Sequence, residues 1–376
     1  MCEETKLYGD GVHDDTAALQ ALLDKAGEVR IPDGRYLVSR PLIIHDNTHL
    51  IAARNAVFRL ADHANCSLLD NDGLYERKTN RNITIEGGIW DGNNSAQERE
   101  WIPVEDLPCD YDKYISNSLI VLMIRLVHTE HLVVKNVIFK DPTSYGIHIA
   151  DAKYFTVENV YFDYDLSKPN MDGVHIQGPA RFGVIRNIMG DCNDDHVALC
   201  ANGTTRSEIT HGDIEDIDID GVYCENGYTG IRLLSRGDAV RNIRVRNVHG
   251  SFRLFAVSFT HHYPLHDDKP VLLENIHLSD LYVSKSTGYI PQGQEPAVIN
   301  NPLVWFESGT NSRNVIIERL MRHEKNPDTK APAIRISRGA NVEGLRISDM
   351  RQEFAGEVIP AIDNEAGADI ELHSVN

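Results

Sequence analysis

Along most of the chain one short phrase recurs: an apolar residue, a variable one, a second apolar one, a variable one, then Asn, Gly or Asp and a further apolar residue. It reads Ile83-Thr84-Ile85-Glu86-Gly87, Val133-Val134-Lys135-Asn136-Val137, Thr156-Val157-Glu158-Asn159-Val160 and Val184-Ile185-Arg186-Asn187-Ile188, and continues to Leu345-Arg346-Ile347-Ser348-Asp349. The punctuating positions Asn136, Asn159, Asn187, Gly221, Asn247, Asp280, Arg319 and Asp349 are 23, 28, 34, 26, 33, 39 and 30 residues apart. Alternation with period two marks a strand, and its return at this spacing marks one strand per coil of a solenoid.

A second short strand precedes each phrase, as in Gly146-Ile147-His148-Ile149, Gly173-Val174-His175-Ile176, Val197-Ala198-Leu199, Gly230-Ile231-Arg232-Leu233, Val257-Ser258-Phe259 and Val304-Trp305-Phe306. Its inward columns are Ile147, Val174, Val197, Ile231, Val257 and Ile149, Ile176, Leu199, Leu233, Phe259. Each coil alone buries too little, and stacking at about 4.8 Å joins the columns into one core. The pattern predicts an all-β fold, a right-handed single-stranded parallel β-helix spanning 1–376 as one domain, with the cap and first coil in 1–40. Helical signals are confined to the N-terminus, where Asp14-Asp15-Thr16 caps a segment from Ala17 to Lys25 with Leu19, Leu22 and Leu23 on one face. Such a helix would cover the open edge of the first coil. Non-repeating stretches at about 93–116, 260–270 and 286–301 read as loops projecting from the coils. A propeller would need four strands per repeat, and a leucine-rich repeat would show a Leu-dominated consensus.

Composition narrows the function. The formal net charge of -19 opposes a sequence-independent grip on nucleic acid, and a polyanionic substrate would need local cations to hold it. No apolar run reaches the length of a membrane span. The six cysteines form no CxxC pair and no metal-type spacing, so buried free thiols are expected, with disulfides among Cys192, Cys200 and Cys224 left open. No metal or cofactor is expected. Met1 leads directly into polar residues, and Met1-Cys2-Glu3-Glu4 also fits the mature end of a lipoprotein. The expected location is secreted, periplasmic or surface-anchored, with the cytoplasm as the alternative.

The candidate chemistry lies where two consecutive coils enter the second-strand sheet: Asp172 in Asn170-Met171-Asp172-Gly173, and the pair in Asn193-Asp194-Asp195-His196. Aligning Val174 with Val197 sets Asp172 beneath Asp195, with Asp194 beside them. Crowded carboxylates raise at least one pKa, and dividing acid and base roles between neighbouring carboxyls is what glycosidic cleavage requires. Singly, each Asp also fits a turn-capping role. The outward column of the same sheet reads His148, His175, Ala198, Arg232, Ser258, Trp305 and Arg335, residues suited to sugar. His196 is a further candidate that either tunes the Asp pair or faces a turn. The group His261-His262 with His266-Asp267-Asp268 matches no ligand spacing and reads as loop.

These motifs resemble glycoside hydrolase family 28, the polygalacturonase and rhamnogalacturonase group of the pectin-lyase-like proteins. Asn170-Met171-Asp172-Gly173 is similar to that family's Asn-Thr-Asp motif, Asp194-Asp195 to its Asp-Asp motif, and Gly230-Ile231-Arg232-Leu233-Leu234 to its Arg-Ile-Lys motif with Leu234 in place of Lys. The opening Tyr8-Gly9-Asp10-Gly11 with Asp14-Asp15-Thr16 resembles the start of the wider superfamily. The resemblance implies that Asp194 protonates the leaving oxygen while Asp172 and Asp195 activate water, with inversion at the anomeric carbon. The family's Gly-His-Gly motif has no counterpart in register; His211-Gly212 lies in a loop. Leu234 also removes the cation that, in the family, meets a sugar carboxylate.

The function expected is therefore glycoside hydrolysis of a polysaccharide or oligosaccharide. One alternative is a polysaccharide lyase, with Arg232 as base and Ca²⁺ held by the three Asp residues. The other is a non-catalytic glycan-binding β-helix.

Overall fold

The computed structural model describes residues 6–98, 123–202, 209–261, 270–288, 300–354 and 357–375. Every strand pairing recorded among them is parallel, and each strand pairs with its counterpart about one coil away, which makes the architecture a parallel β-helix. Ladders run through the corners of a coil without interruption, so single strands such as Ile124–Lys140, Ile147–Asp163 and Val174–Asp191 carry several faces each.

The corners are made by the punctuating residues. Asn136, Asn159, Asn187, Asn247, Asp280, Arg319 and Asp349 all have φ between 52° and 59°, the left-handed region that Asn and Asp tolerate best. Successive corner amides then bond along the axis, Asn159 Nδ2 donating to Asn136 Oδ1 at 3.0 Å and Asn187 Nδ2 to Asn159 Oδ1 at 2.9 Å. The recurring polar residue thus turns the chain and pairs with its copy in the next coil.

Register agrees with the sequence reading. Ile147, Val174, Val197, Ile231, Val257, Val304 and Ile334 are consecutive partners, and the next inward column follows from Ile149 to Ile336. All are buried in one continuous core cluster. Val197 pairs directly with Ile231, so no coil intervenes to carry a Gly-His-Gly motif.

The N-terminal helix, α1, spans Thr16–Leu23 and buries Ala18, Leu19 and Leu23. Its cap departs from expectation: the Asp15 carboxylate accepts from the backbone N–H groups of Tyr8 and Gly9 instead of from the helix, while Asp14 accepts from Thr16 N–H at 2.9 Å. Gln20 closes the sheet edge as a peptide would, its amide donating to Ile43 O at 3.0 Å and accepting from Ile43 N at 2.7 Å. Helix also occurs beyond the N-terminus, contrary to the sequence reading, as the single turn α2, Asp72–Glu76. Most of the three expected loops lies outside the described residues. Cys66, Cys192, Cys200 and Cys224 are free thiols, while Cys2 and Cys109 lie outside the described residues.

Candidate active site

Ladder geometry assembles the acidic cluster. Gly173 N–H donates to Asp195 O at 2.8 Å and Gly146 N–H to Asp172 O at 2.8 Å, which seats both acidic turns on the same edge of the sheet. One carboxylate oxygen each from Asp172, Asp194 and Asp195 lies within 4.8 Å of the others. Asp172 and Asp195 are buried, and Asp194 keeps a partly exposed side chain. The turn is braced from beneath by Asn193, whose amide donates to Leu166 O and Lys168 O, and from two coils above by the buried Arg253. That guanidinium donates to Asn193 Oδ1 and Cys192 O, both at 3.0 Å.

The three acids have different surroundings. Burial pushes the Asp194 carboxyl well above its usual range, and the charges of Asp195 and Asp172 push it further. Asp195 is ion-paired through Oδ2 to Arg232 Nε, and a longer contact of 3.4 Å joins Arg232 to Asp194. Burial alone would lower the guanidinium's pKa, but Asp195 and Asp194 outweigh it and raise it. Asp195 Oδ1 is buried and accepts no hydrogen bond among the described residues. Asp172 Oδ2 lies 2.7 Å from His175 Nδ1. Burial holds the His175 imidazole down at about 4, Asp195 opposing and Arg232 reinforcing that shift, so the neutral ring donates its Nδ1–H to Asp172.

His148 and His175 stand one coil apart as expected, their centroids 5.4 Å apart in an edge contact. The sheet face they share is not open, however, which corrects the reading of an exposed column: His148, His175, Ala198 and Ser258 are all buried. Side chains from neighbouring turns cover part of this face, with Tyr145 stacked on His175 at 4.3 Å and packed, with Ile209, on Leu74, Val127 and Ala150. His148 is further tied to Gln177, 2.8 Å away. Trp305 sits two coils beyond Arg232 in the same column, half-exposed, with one face on Phe255 at 4.7 Å and its indole N–H donating to Ser337.

His196 departs from the substrate-binding role expected of it. It is fully buried among Phe162 and Phe252, and both ring nitrogens face backbone carbonyls, Thr229 O at 3.0 Å and Gly190 O at 2.9 Å. His261 is likewise engaged, its Nε2 2.9 Å from Ser308 O, while 262–269 lie outside the described residues. Asp191, His196 and Cys224 also approach within 4.8 Å of one another, but the ring nitrogens are committed and burial pushes the Cys224 thiol up, away from the thiolate a metal requires. The three Asp residues are the better donor set for a hard cation, with Arg232 already supplying positive charge there.

Sequence reasoning missed Arg125 and Asp70, which extend the column beyond His148. Arg125 grips Asp70 at 2.8 and 2.6 Å, both buried, and Tyr75 Oη donates to the same carboxylate. The signal was present, since Arg125 precedes His148 by the same 23 residues that separate Asn136 from Asn159.

Comparison with known proteins matches residues 4–96 to the rhamnogalacturonase A/epimerase, pectate lyase-like family and residues 123–260 to the right-handed β-helix region. The fold is a pectin-lyase-like right-handed parallel β-helix. The chain is 30% identical over 170 residues to the plasmin and fibronectin-binding protein A of Streptococcus pneumoniae, covering 41% of this chain and 22% of that protein. It is 36% identical over 90 residues to the preneck appendage protein of Bacillus phage PZA, covering 23% of this chain and 10% of that one. The matches thus span about a fifth and a tenth of these relatives' lengths. Among solved structures it is similar to a Streptococcus pneumoniae surface adhesin (TM-score 0.60, 15% identity, 99% of this chain and 90% of that) and to an endo-xylogalacturonan hydrolase of Aspergillus tubingensis (0.59, 14%, 99% of each). It is also similar to a mannuronan C-5 epimerase module of Azotobacter vinelandii (0.58, 14%, 98% of each). At these identities the likeness is one of fold, shared by hydrolases, epimerases and adhesins. No helix among the described residues is long and apolar enough to cross a membrane.

Proposed function

We propose that the chain is a glycoside hydrolase in which Asp194 is the general acid. The observation that carries this reading is the division of environment within one cluster: burial and its acidic neighbours push the Asp194 carboxyl well above its usual range, favouring its protonated form, while Asp195 is ion-paired to Arg232. A protonated carboxyl beside an ionised one is the pair that glycosidic cleavage needs. Asp194 gives its proton to the leaving oxygen; Asp195, whose buried Oδ1 has no hydrogen-bond partner among the described residues, takes the proton of the attacking water, and Asp172 positions that water. His175 keeps the Asp172 carboxylate in place. Arg232 stabilises the ionised base, and its commitment to two carboxylates makes it a poor proton acceptor, which disfavours the lyase reading.

Carboxylate oxygens within 4.8 Å are closer than the roughly 6.5–9.5 Å between carboxyl groups that usually accompanies inversion. The stereochemistry implied by the family resemblance is therefore tested directly, by NMR of the first-formed anomer. Purified protein should release reducing ends from an oligosaccharide panel, and Asp194→Asn should abolish release while leaving the circular dichroism spectrum unchanged. Retained release by that variant would remove the acid from the mechanism.

The likeness to a surface adhesin favours a second reading, a cell-surface β-helix that binds without turnover. In that case a variant with all three Asp residues changed to Asn would bind glycan as tightly as the native chain, and neither would release product.

A further inference from the structure

We infer that the site takes a neutral glycan and turns away a free uronate at the position beside the partly exposed Asp194. The inference rests on the hydrolase reading of the same site and adds the charge of its substrate.

The outward face carries two columns, and the cations of the first are already matched to acids. Arg125 is gripped by Asp70 within 2.8 Å, Arg232 is paired with Asp195 and lies 3.4 Å from Asp194, and Arg335 donates to Asp363 at 2.9 Å. The two histidines of that column add no positive charge: burial pushes His148 well below its ordinary value and holds His175 at about 4. The second column runs through Val127, Ala150, Gln177, Cys200, Leu234 and Thr260, consecutive partners in the ladder, and none is charged. Among the described residues of these two columns, no cation is left over for a sugar carboxylate.

An entering uronate would meet the opposite of a counter-charge. Asp172, Asp194 and Asp195 already crowd within 4.8 Å, and a fourth carboxylate beside them would shed its water with no ion pair offered by either column. It would also raise Asp194 further by like-charge repulsion. A neutral pyranose carries no such charge-desolvation cost, and its hydroxyls can hydrogen-bond to the partly exposed Asp194 side chain.

The test uses a matched pair of the same backbone, fully methyl-esterified oligogalacturonide and its de-esterified acid, together with neutral oligosaccharides. Binding is measured by calorimetry on Asp194→Asn and release of reducing ends on the native chain. Neutral or esterified chains should be bound and cleaved better than the free acid by about a hundredfold or more, the cost of one unpaired buried charge. Leu234→Lys should narrow that ratio. Equal or better use of the free acid would overturn the inference while leaving the hydrolase reading intact. Preferential binding of neutral chains with no turnover of any chain would uphold the charge selection and remove the hydrolase. Failure to bind any neutral or esterified chain would end the inference.

Discussion

Replacing Asp194 with Asn should cost activity and add stability, and the pH dependence of the second effect is the sharper test. The nearest oxygens of Asp194 and each of its two acidic neighbours lie within 4.8 Å. At an effective dielectric constant of about 20, each such pair repels by about 3–4 kcal/mol once Asp194 ionises. Arg232, 3.4 Å away, offsets about 5 kcal/mol on the same scale, leaving roughly 2 kcal/mol against the ionised form. Desolvation of this partly exposed carboxyl acts in the same direction.

The folded-state pKa of Asp194 is therefore raised above the unfolded value of 3.8, so the wild type's contribution is whole below 3.8 and is lost as pH climbs through the raised value. Asn cannot ionise and keeps its contribution throughout. Urea unfolding of both proteins from about pH 4 to pH 9 should give curves that start together and separate with pH, the variant ending about 2 kcal/mol more stable. Its product release should fall by about 10²–10⁴-fold. Parallel stability curves, or a variant less stable at high pH, would show that Asp194 is ionised and held by Arg232, and the acid assignment would fall with it.

Other outcomes follow from the same geometry. Arg232→Leu strips Asp194 and Asp195 of their counter-charge and should destabilise by about 3–5 kcal/mol in chemical denaturation, a loss that adding Asp195→Asn recovers in part. His175 has a folded value of about 4 against 6.5, so its contribution is present above 6.5 and lost as pH falls to about 4. The loss amounts to about 3 kcal/mol, and His175→Gln should flatten the wild-type decline across that window. Gly173→Ala would drive a methyl to 2.3 Å from the Phe162 ring and 2.7 Å from His196 O, and should lower stability by about 1–3 kcal/mol in thermal unfolding while displacing the neighbouring Asp172.

Much of this molecule is linear in its chain. In a parallel in-register solenoid, residues one coil apart in sequence become ladder partners, so matching the short strand Val174-His175-Ile176 to Val197-Ala198-Leu199 was enough to place Asp172 beside the Asp194-Asp195 pair. The same matching stacked His148 on His175 and set Arg232 two coils further along, past Ala198. Period two also separated the core columns from the outward ones without any knowledge of what lies over them.

What covers the outward face was decided elsewhere. Tyr145 and Ile209 pack over this face from turns, and spacing along the chain does not say which turn leans over which coil. For that reason His148 proved buried where alternation marked it as outward, and the upward push on the Asp194 carboxyl, which depends on its own burial, could not be read from the sequence. His196 shows the limit from the other side: neighbours from other coils bury it and commit both nitrogens to carbonyls. Register is a property of the sequence because it is additive along the chain, whereas burial and charge state belong to the folded molecule because they sum over neighbours from many coils at once.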